Sequence, residues 1–166
     1  MMYRRFILLV VMSGVLMGCS GAAVSRDQLG QTLSIESLRY LPEAVSETSG
    51  LARFGGYLWT INDSGGKDAV YAFGAQDYEF KKRIKIGDAK NVDWESLAQT
   101  DKHLFIADCG NNKGKRQTLD IYKVSWKKLI KAKDKEKVDA KKISFQYADR
   151  PDGDQVKEHN YDCEAL

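Results

Sequence analysis

An acidic motif that occurs twice constrains this chain more than any other sequence feature. Residues 91–97 read NVDWESL and residues 160–166 read NYDCEAL, so asparagine, aspartate, glutamate and leucine recur at the same offsets. In each copy the aspartate and the glutamate are two positions apart, which places both side chains on one face of a β-strand. The motif therefore predicts a repeated structural unit that begins with an acidic strand.

The residues around the motif extend the repeat. Residues 47–51 (ETSGL) place a carboxylate shortly before a leucine, as both copies of the motif do. An apolar stretch that contains an aspartate near its end follows, at 58–65 (LWTINDSG) and again at 104–110 (LFIADCG). A long repeat made of short strands is typical of arrays such as propellers, whose single units cannot bury their own apolar faces.

Short runs of β-branched and aromatic residues, separated by glycine-rich turns, predict an all-β fold. The first predicted set of strands is 47–53, 57–62, 69–73 and 79–86; the second is 93–98, 103–108, 119–124 and 142–148; residues 162–166 begin a third. The lysine-rich segment 125–137 interrupts this pattern. Ser125 is suited to an N-cap, which predicts a short helix or a flexible excursion there.

The start of the chain has the pattern of a secretory signal over residues 1–18, where Arg4 and Arg5 precede an apolar run that is short for a membrane span. Residues 16–19 (LMGC) resemble a bacterial lipoprotein processing site. This predicts a lipid on Cys19, a tether over 19–32 and a domain over 33–166. Because serine rather than aspartate follows the cysteine, we expect an outer-membrane anchor facing the periplasm. The alternatives are an uncleaved signal anchor and a plain signal peptide.

The charge balance gives no argument for nucleic-acid binding, because 26 basic and 23 acidic residues leave a formal net charge of only +3. The basic residues cluster at 81–83 and 127–142, and such clusters are usually solvated surfaces. The chain stops on Leu166, inside the second copy of the motif, so we expect it to be a truncated part of a longer array.

Two cysteines remain beside the one predicted to carry lipid. Cys109 follows Asp108 and Cys163 follows Asp162, so the pair occupies related places in the repeat. An oxidising periplasm permits a disulfide between them. The alternative is two buried thiols that fill apolar positions.

Taken together, the segments 47–51, 58–65, 93–97, 106–112 and 162–166 resemble a family of secreted bacterial six- or seven-bladed β-propellers. That family is similar to the phytase-like, gluconolactonase-like and NHL-like propellers, and the resemblance covers residues 45–166. It implies that the chain forms the first two blades and the start of a third. It also implies that acidic residues of the innermost strands surround the axial opening, and these are Glu47, Asp93, Glu95, Asp162 and Glu164.

Carboxylates that face one another repel unless a cation neutralises them. Oxygen ligands of this kind suit Ca²⁺ or Mg²⁺, with Asn62 or Asn111 as supplementary donors. The alternative is that the carboxylates cap strand ends by accepting backbone hydrogen bonds from the neighbouring blade. Trp59 and Trp94 are expected to belong to the core between blades rather than to a ligand-stacking surface.

Three functions compete at this level. The first is a lipid-anchored binding or scaffold module for a protein or glycan partner. The second is a metal-dependent hydrolase of the lactonase or phosphoesterase kind, in which the cation activates water. His159 lies beside the second acidic motif and could serve that site, whereas His103 heads an apolar strand and is expected to be structural. The third is a fragment without function, because two blades leave unpaired strand edges.

Overall fold

The computed structural model describes residues 40–151 and 161–166, and this part of the chain is all-β apart from one short helix. The elements are β1 (Thr48–Phe54), β2 (Tyr57–Asn62), β3 (Ala69–Gly74), β4 (Phe80–Gly87), β5 (Trp94–Gln99), β6 (His103–Asp108), β7 (Leu119–Ser125), α1 (Trp126–Lys131), β8 (Lys137–Asp139) and β9 (Lys141–Phe145).

Several predictions concern residues that lie outside the described ranges. These are the signal segment 1–18, the lipidated Cys19, the tether 19–32, and His159 beside the second motif. Among the residues that are described, no helix is long and apolar enough to cross a membrane.

The strands form two separate sheets, and neither is closed. The first has the order β1-β2-β3-β4-β8 and the second has the order β5-β6-β7-β9. The first four strands of each sheet are antiparallel neighbours, and they coincide closely with the two predicted sets. Strand β8 was not predicted; it pairs in parallel with the end of β4, from Lys85 to Gly87.

Both sheets begin with the same irregularity. The register of β1 against β2 shifts between Thr48 and Gly50, and that of β5 against β6 shifts between Trp94 and Ser96. The extra residue is Ser49 in the first sheet and Glu95 in the second. Bulges of this kind bend a strand and redirect a side chain. The two sheets are therefore alike in strand order and in this backbone detail.

One hydrophobic core joins the two sheets. Trp59 from β2 and Trp94 from β5 are completely buried in it, and Trp126 of α1 is 1 % exposed. The expectation that Trp59 and Trp94 belong to the core is therefore confirmed. The first strands of the two sheets approach closely at Gly50, where an added Cβ atom would lie 2.8 Å from the backbone nitrogen of Leu97.

The lysine-rich segment forms the short helix that was predicted. Helix α1 is preceded by Ser125, which adopts an extended N-cap conformation but makes no side-chain capping hydrogen bond. The helix ends at Lys131, and the chain then turns to form β8. The prediction of a short helix or an excursion within 125–137 is therefore confirmed, and only its last residue, Lys137, belongs to a strand, because it pairs with β4.

The expectation that the basic cluster at 81–83 is solvated is wrong for Lys82. It is only 6 % exposed, and its Nζ atom donates hydrogen bonds to the carbonyl oxygens of Leu129, Ile130 and Ala132 at 2.8, 2.9 and 2.9 Å. These carbonyls lie at the end of α1, where a helix has no internal donors left. The ammonium group thus connects the first sheet to the helix that follows β7 of the second sheet.

Residues 161–166 do not form the strand that was predicted to begin a third blade. A strand requires a neighbour with which to form a hydrogen-bond ladder, and no strand among the described residues pairs with this segment. It is attached to the second sheet by other contacts. The Asn111 side chain donates to the Tyr161 carbonyl oxygen at 3.2 Å, and the Tyr161 hydroxyl donates to the Asp149 carbonyl oxygen at 2.9 Å.

Candidate metal centre

Three carboxylates come together where the two sheets meet. One oxygen from each of Asp63, Asp93 and Glu95 can be chosen so that all three lie within 4.8 Å of one another. Asp63 directly follows β2, Asp93 directly precedes β5, and Glu95 is the extra residue of the β5 bulge. We call these three residues the carboxylate cluster; it draws on both sheets.

The backbone around the cluster is held by strand-end hydrogen bonds. The Asp63 amide donates to the Glu47 carbonyl oxygen at 2.8 Å, and the Gly110 amide donates to the Asp93 carbonyl oxygen at 3.1 Å. The Asp93 amide donates to Oδ1 of Asp108 at 3.0 Å. The positions of the acidic side chains are therefore fixed by the start of β1, the start of β5 and the end of β6.

Asn91, the first residue of the acidic motif, links the two sheets at the cluster. Its Nδ2 donates to the carbonyl oxygens of Asn62 and Asp63, each at 2.9 Å, and its Oδ1 accepts from the Trp94 amide at 3.2 Å. The asparagine thereby joins the end of β2 to the start of β5. This contact explains why the motif begins with an asparagine two residues before its aspartate.

Gly110 packs directly against the cluster. An added Cβ atom at this position would lie 2.1 Å from Oε1 of Glu95 and 2.4 Å from Oδ2 of Asp93. No other residue type leaves room for both carboxylates, so the glycine that follows Cys109 is part of the construction of the site.

Arg116 lies near the cluster and pairs with Asp108. Its guanidinium forms an ion pair with the buried Asp108 at 2.9 Å and donates to the carbonyl oxygens of Gly110 and Asp108. Burial raises the pKa of Asp108, and the charge of Arg116 opposes that rise. This pair supports the backbone behind the cluster.

The cluster carries more negative charge than its surroundings balance. Burial, followed by repulsion from Asp63, Glu164, Asp93 and Asp162, raises the pKa of Glu95 from its ordinary value of 4.5 to about 8. Burial and repulsion from Asp63 also raise the pKa of Asp93. Glu95 is 7 % exposed, and its carboxylate takes part in no hydrogen bond or ion pair with the described residues. The site is therefore suited to a positive ligand.

The structure brings together some of the five predicted acidic residues and adds another. Asp93 and Glu95 are in the cluster. Asp162 and Glu164 act on it through their charges, although they are not members of the group of three. Glu47 is exposed and contributes its carbonyl oxygen to the Asp63 amide.

Asp63 was the site residue that sequence reasoning missed. In the sequence it is only the aspartate near the end of an apolar stretch. A signal was nonetheless present, because an aspartate shortly before a glycine occurs at this point of both stretches, 58–65 and 104–110.

The two asparagines expected to supplement the ligands have different surroundings. The Asn111 side chain donates to the Arg116 and Tyr161 carbonyl oxygens and accepts from the Arg116 amide, so its amide group is fully used in holding the loop. Asn62 donates to the Ala44 carbonyl oxygen at 3.1 Å, while its Oδ1 is buried and has no hydrogen-bond partner.

The strand-capping alternative fits Asp162 among the five predicted acidic residues, because its Oδ1 accepts the Asn111 amide. Asp63 and Asp108 were not in that set. Asp63 accepts the amide of the next residue, and Asp108 accepts an amide from the start of the second sheet, to which it belongs itself, so neither bond comes from the neighbouring sheet. Glu95 accepts no such bond among the described residues, so capping does not account for its burial.

A disulfide joins Cys109 to Cys163, with the two Cα atoms 5.4 Å apart. Cys109 is completely buried and packs in a small cluster with Ala107 and Leu119. The bond connects the end of β6 to the segment that carries Asp162 and Glu164.

The three carboxylates are a donor set of the kind that binds Ca²⁺ or Mg²⁺. Ca²⁺ takes oxygen ligands at about 2.3–2.6 Å and Mg²⁺ at about 2.0–2.1 Å. Three oxygens that lie within 4.8 Å of one another have a common centre no more than about 2.8 Å from each of them, so a small approach of the side chains would bring all three to the Ca²⁺ distance. Mg²⁺ would require a closer approach.

The pKa of Glu95 predicts how stability depends on pH when no divalent cation is bound. The folded protein holds this proton more tightly than the unfolded chain does, so the stabilisation is complete below pH 4.5 and is lost as the pH rises to about 8. Urea denaturation in EDTA should show a slope approaching about 1.4 kcal/mol per pH unit within that window. The Glu95→Gln variant should lose this dependence of the free energy of unfolding on pH. An unchanged slope would contradict the assignment of the raised pKa to Glu95.

The chain was compared with known protein families, curated proteins and solved structures, and it matches no family, no curated protein and no solved structure. The function of the chain is therefore inferred from the chemistry of the carboxylate cluster.

Proposed function

We propose that this chain is a lipid-anchored binding module of the bacterial cell envelope, built from propeller-type blades and organised by a divalent cation. The observation that carries the proposal is the carboxylate cluster, in which Asp63 comes from the first sheet and Asp93 and Glu95 come from the second. A cation bound there would neutralise the repulsion that raises the pKa of Glu95 and would link the two sheets.

The surface around the cluster is suited to binding a partner. The loops at 63–68 and 109–118 follow the second strand of each sheet, so they lie at the same end of the array as the cluster. Loops gathered at one end of a rigid β-scaffold are common sites of recognition. A protein or glycan partner is the ligand class that we propose for this end.

The propeller-type architecture is supported by the similarity between the two sheets. Each has its first strand at one edge, directly after an acidic residue, with the same antiparallel order through its first three strands and a bulge at the same place. The close approach of β1 and β5 at Gly50 puts the first strands of the sheets side by side. This is the arrangement expected where the innermost strands of neighbouring blades surround an axis.

The cation proposal predicts that Ca²⁺ stabilises the protein and that Asp93→Asn together with Glu95→Gln abolishes this effect. Isothermal titration should show saturable Ca²⁺ binding to the original protein, with a concentration-dependent rise in Tm. Asp101→Asn is a matched control, because Asp101 is an exposed carboxylate in the turn between β5 and β6, at the other end of the second sheet. Equal Ca²⁺ stabilisation of the double variant and the original protein would refute the proposal.

The hydrolase alternative has one observation in its favour, namely that Glu95 has a pKa near the operating pH of a general base. His103 does not support it. The imidazole belongs to the first residue of β6, about 17 Å along the strand from Asp108 at the cluster end. Cation-dependent hydrolysis of a simple lactone or a phosphoester, lost in EDTA, would favour the hydrolase over the binding module.

The proposed localisation predicts a lipid on Cys19. Intact-mass spectrometry of the protein from its membrane fraction should show a diacyl or triacyl modification of a mature chain that begins at this cysteine. Cys19→Ala should shift the protein out of the membrane fraction, because two or three acyl chains supply the anchoring energy. A membrane-bound Cys19→Ala protein with no lipid mass would contradict the lipoprotein assignment.

A further inference from the structure

The disulfide lies between two sets of residues that belong to the proposed site. Cys109 is flanked by Asp108, which accepts the Asp93 amide, and by Gly110, which packs on the carboxylate cluster. Cys163 is flanked by Asp162 and Glu164, and Asp162 accepts the amide of Asn111, the residue that follows Gly110. The disulfide therefore connects the residues that pack against the carboxylate cluster to two further carboxylates.

The first copy of the acidic motif shows what the disulfide replaces. The residue between Asp93 and Glu95 is Trp94, which is completely buried in the core and donates from Nε1 to the Lys90 carbonyl oxygen at 3.2 Å. Burial of a side chain of that size anchors the strand and with it both carboxylates. The acidic side chains of the first copy are thus positioned by packing.

The second copy lacks this anchor. The residue between Asp162 and Glu164 is Cys163, which is small and only partly buried. Its segment is not paired in a sheet among the described residues. Asp162 accepts the Asn111 amide, and this hydrogen bond is a local restraint on the segment. The disulfide to Cys109 adds a covalent restraint. A cross-link that spans 54 residues restricts the chain strongly.

Building on the cation site proposed above, we propose that the Cys109–Cys163 disulfide is a positioning element of that site. It holds Asp162 and Glu164 beside the carboxylate cluster, where their two negative charges strengthen the binding of the cation. Cys109 and Cys163 act through these carboxylates and do not themselves contact the ion.

Reduction of the disulfide provides a way to release the segment that carries Asp162 and Glu164 in the folded protein. Dithiothreitol, a dithiol, transfers two electrons and two protons to the disulfide, which leaves Cys109 and Cys163 as thiols while the reagent closes to its cyclic disulfide. Cys163 is the less buried of the two cysteines, since it is partly buried and Cys109 is completely buried. The double variant Cys109→Ser with Cys163→Ser gives the same disconnection without reagent.

The test compares cation affinity in the oxidised and reduced proteins. Tb³⁺ serves as a luminescent probe for calcium sites, and Trp94, between Asp93 and Glu95, serves as the sensitiser. We expect reduction, and the double serine variant, to weaken Tb³⁺ binding about tenfold, a typical coupling between residues that share one network. Unchanged affinity after verified reduction would overturn the proposal.

A second variant separates positioning from general stability. In the protein that carries Asp162→Asn and Glu164→Gln, the disulfide has no charges left to position. We expect this variant to bind Tb³⁺ as weakly as the reduced protein and to lose no further affinity on reduction. If reduction weakened binding in this variant as much as in the original protein, the disulfide would act through something other than these carboxylates, and the proposal would fail.

Amide exchange distinguishes failure of this inference from failure of the proposed function. The Asn111 amide donates to Asp162 and should exchange faster after reduction, while the Gly110 amide, bonded to Asp93, serves as the internal control. Faster Asn111 exchange without any Tb³⁺ binding would refute the cation site yet retain the positioning of the segment. Equal exchange with normal Tb³⁺ binding would refute the positioning and retain the site.

Discussion

Gly110→Ala is expected to lower the free energy of unfolding by about 3 kcal/mol and to abolish cation binding. The new methyl group would occupy space now filled by Oε1 of Glu95, at 2.1 Å, and by the carboxylate of Asp93, at 2.4 Å. Overpacking in a buried region costs about 1–3 kcal/mol even among apolar groups. Here the displaced atoms are carboxylates that already repel one another, so we expect the upper end of that range. Urea denaturation and Ca²⁺ titration measure the two effects.

Gly74→Ala is the matched control for this experiment. An added Cβ atom there would also meet a carboxylate oxygen closely, that of Asp77 at 2.0 Å. That side chain is 51 % exposed and can rotate away, so the loss should be no more than about 1 kcal/mol, and cation binding should persist. If both glycine variants lost the same stability and both still bound Ca²⁺, the close packing at Gly110 would not matter to the site.

Lys82→Met is expected to lower the free energy of unfolding by about 2–4 kcal/mol. Methionine keeps the apolar stem but leaves three carbonyl oxygens at the end of α1 without the ammonium that now binds them. Each unsatisfied buried acceptor costs about 1–3 kcal/mol, and the recovered desolvation of the charge offsets part of the total. The ammonium also lies 5.1 Å from the centre of the Tyr57 ring and 5.5 Å from that of Trp59. Chemical denaturation measures the loss.

Lys81→Met provides the comparison on the same strand. Lys81 is exposed and pairs with Asp77 across the surface, an interaction that contributes less than about 1 kcal/mol. Its replacement should therefore change stability by well under half of the Lys82 effect. Equal losses at the two positions would mean that the buried ammonium contributes nothing beyond its alkyl stem.

The regular strands were predictable because their signals are local. Alternating apolar residues bounded by glycine turns located β2 (Tyr57–Asn62) and β6 (His103–Asp108) at their observed limits. Strand β8 (Lys137–Asp139) has only three residues and a single buried side chain, Val138. Its conformation depends on pairing with β4, which lies far away in the sequence, so no local pattern identifies it.

The burial of Lys82 had the same kind of cause. On its own strand it stands among charged neighbours and has the composition of a solvated surface. What removes it from water is the end of α1, whose carbonyl oxygens come from residues about fifty positions later. A sequence window around Lys82 cannot contain that information.

The candidate site was predictable in the part that depends on the repeated acidic motif. Asp93 and Glu95 were identified because the motif recurs at 160–166, but they do not meet through strand alternation, since Asp93 precedes β5 and Glu95 is the extra residue of the bulge. Asp63 joins them only because the end of β2 lies beside the start of β5, a relation that Asn91 fixes through hydrogen bonds across the two sheets. That relation belongs to the packing of one sheet against the next, which the spacing of residues within a strand does not specify.

The bulge shared by the two sheets fixes the position of a side chain but not its chemical type. The same backbone detour presents Ser49 in one sheet, where its hydroxyl donates to the Trp94 carbonyl oxygen at 2.6 Å, and Glu95 in the other, where it presents an acid to the cluster. Because the detour is made by main-chain pairing, the side chain at this position can change without a change in the backbone. The two sheets thus carry different chemistry, a neutral hydrogen bond in one and a carboxylate in the other, on the same main-chain feature.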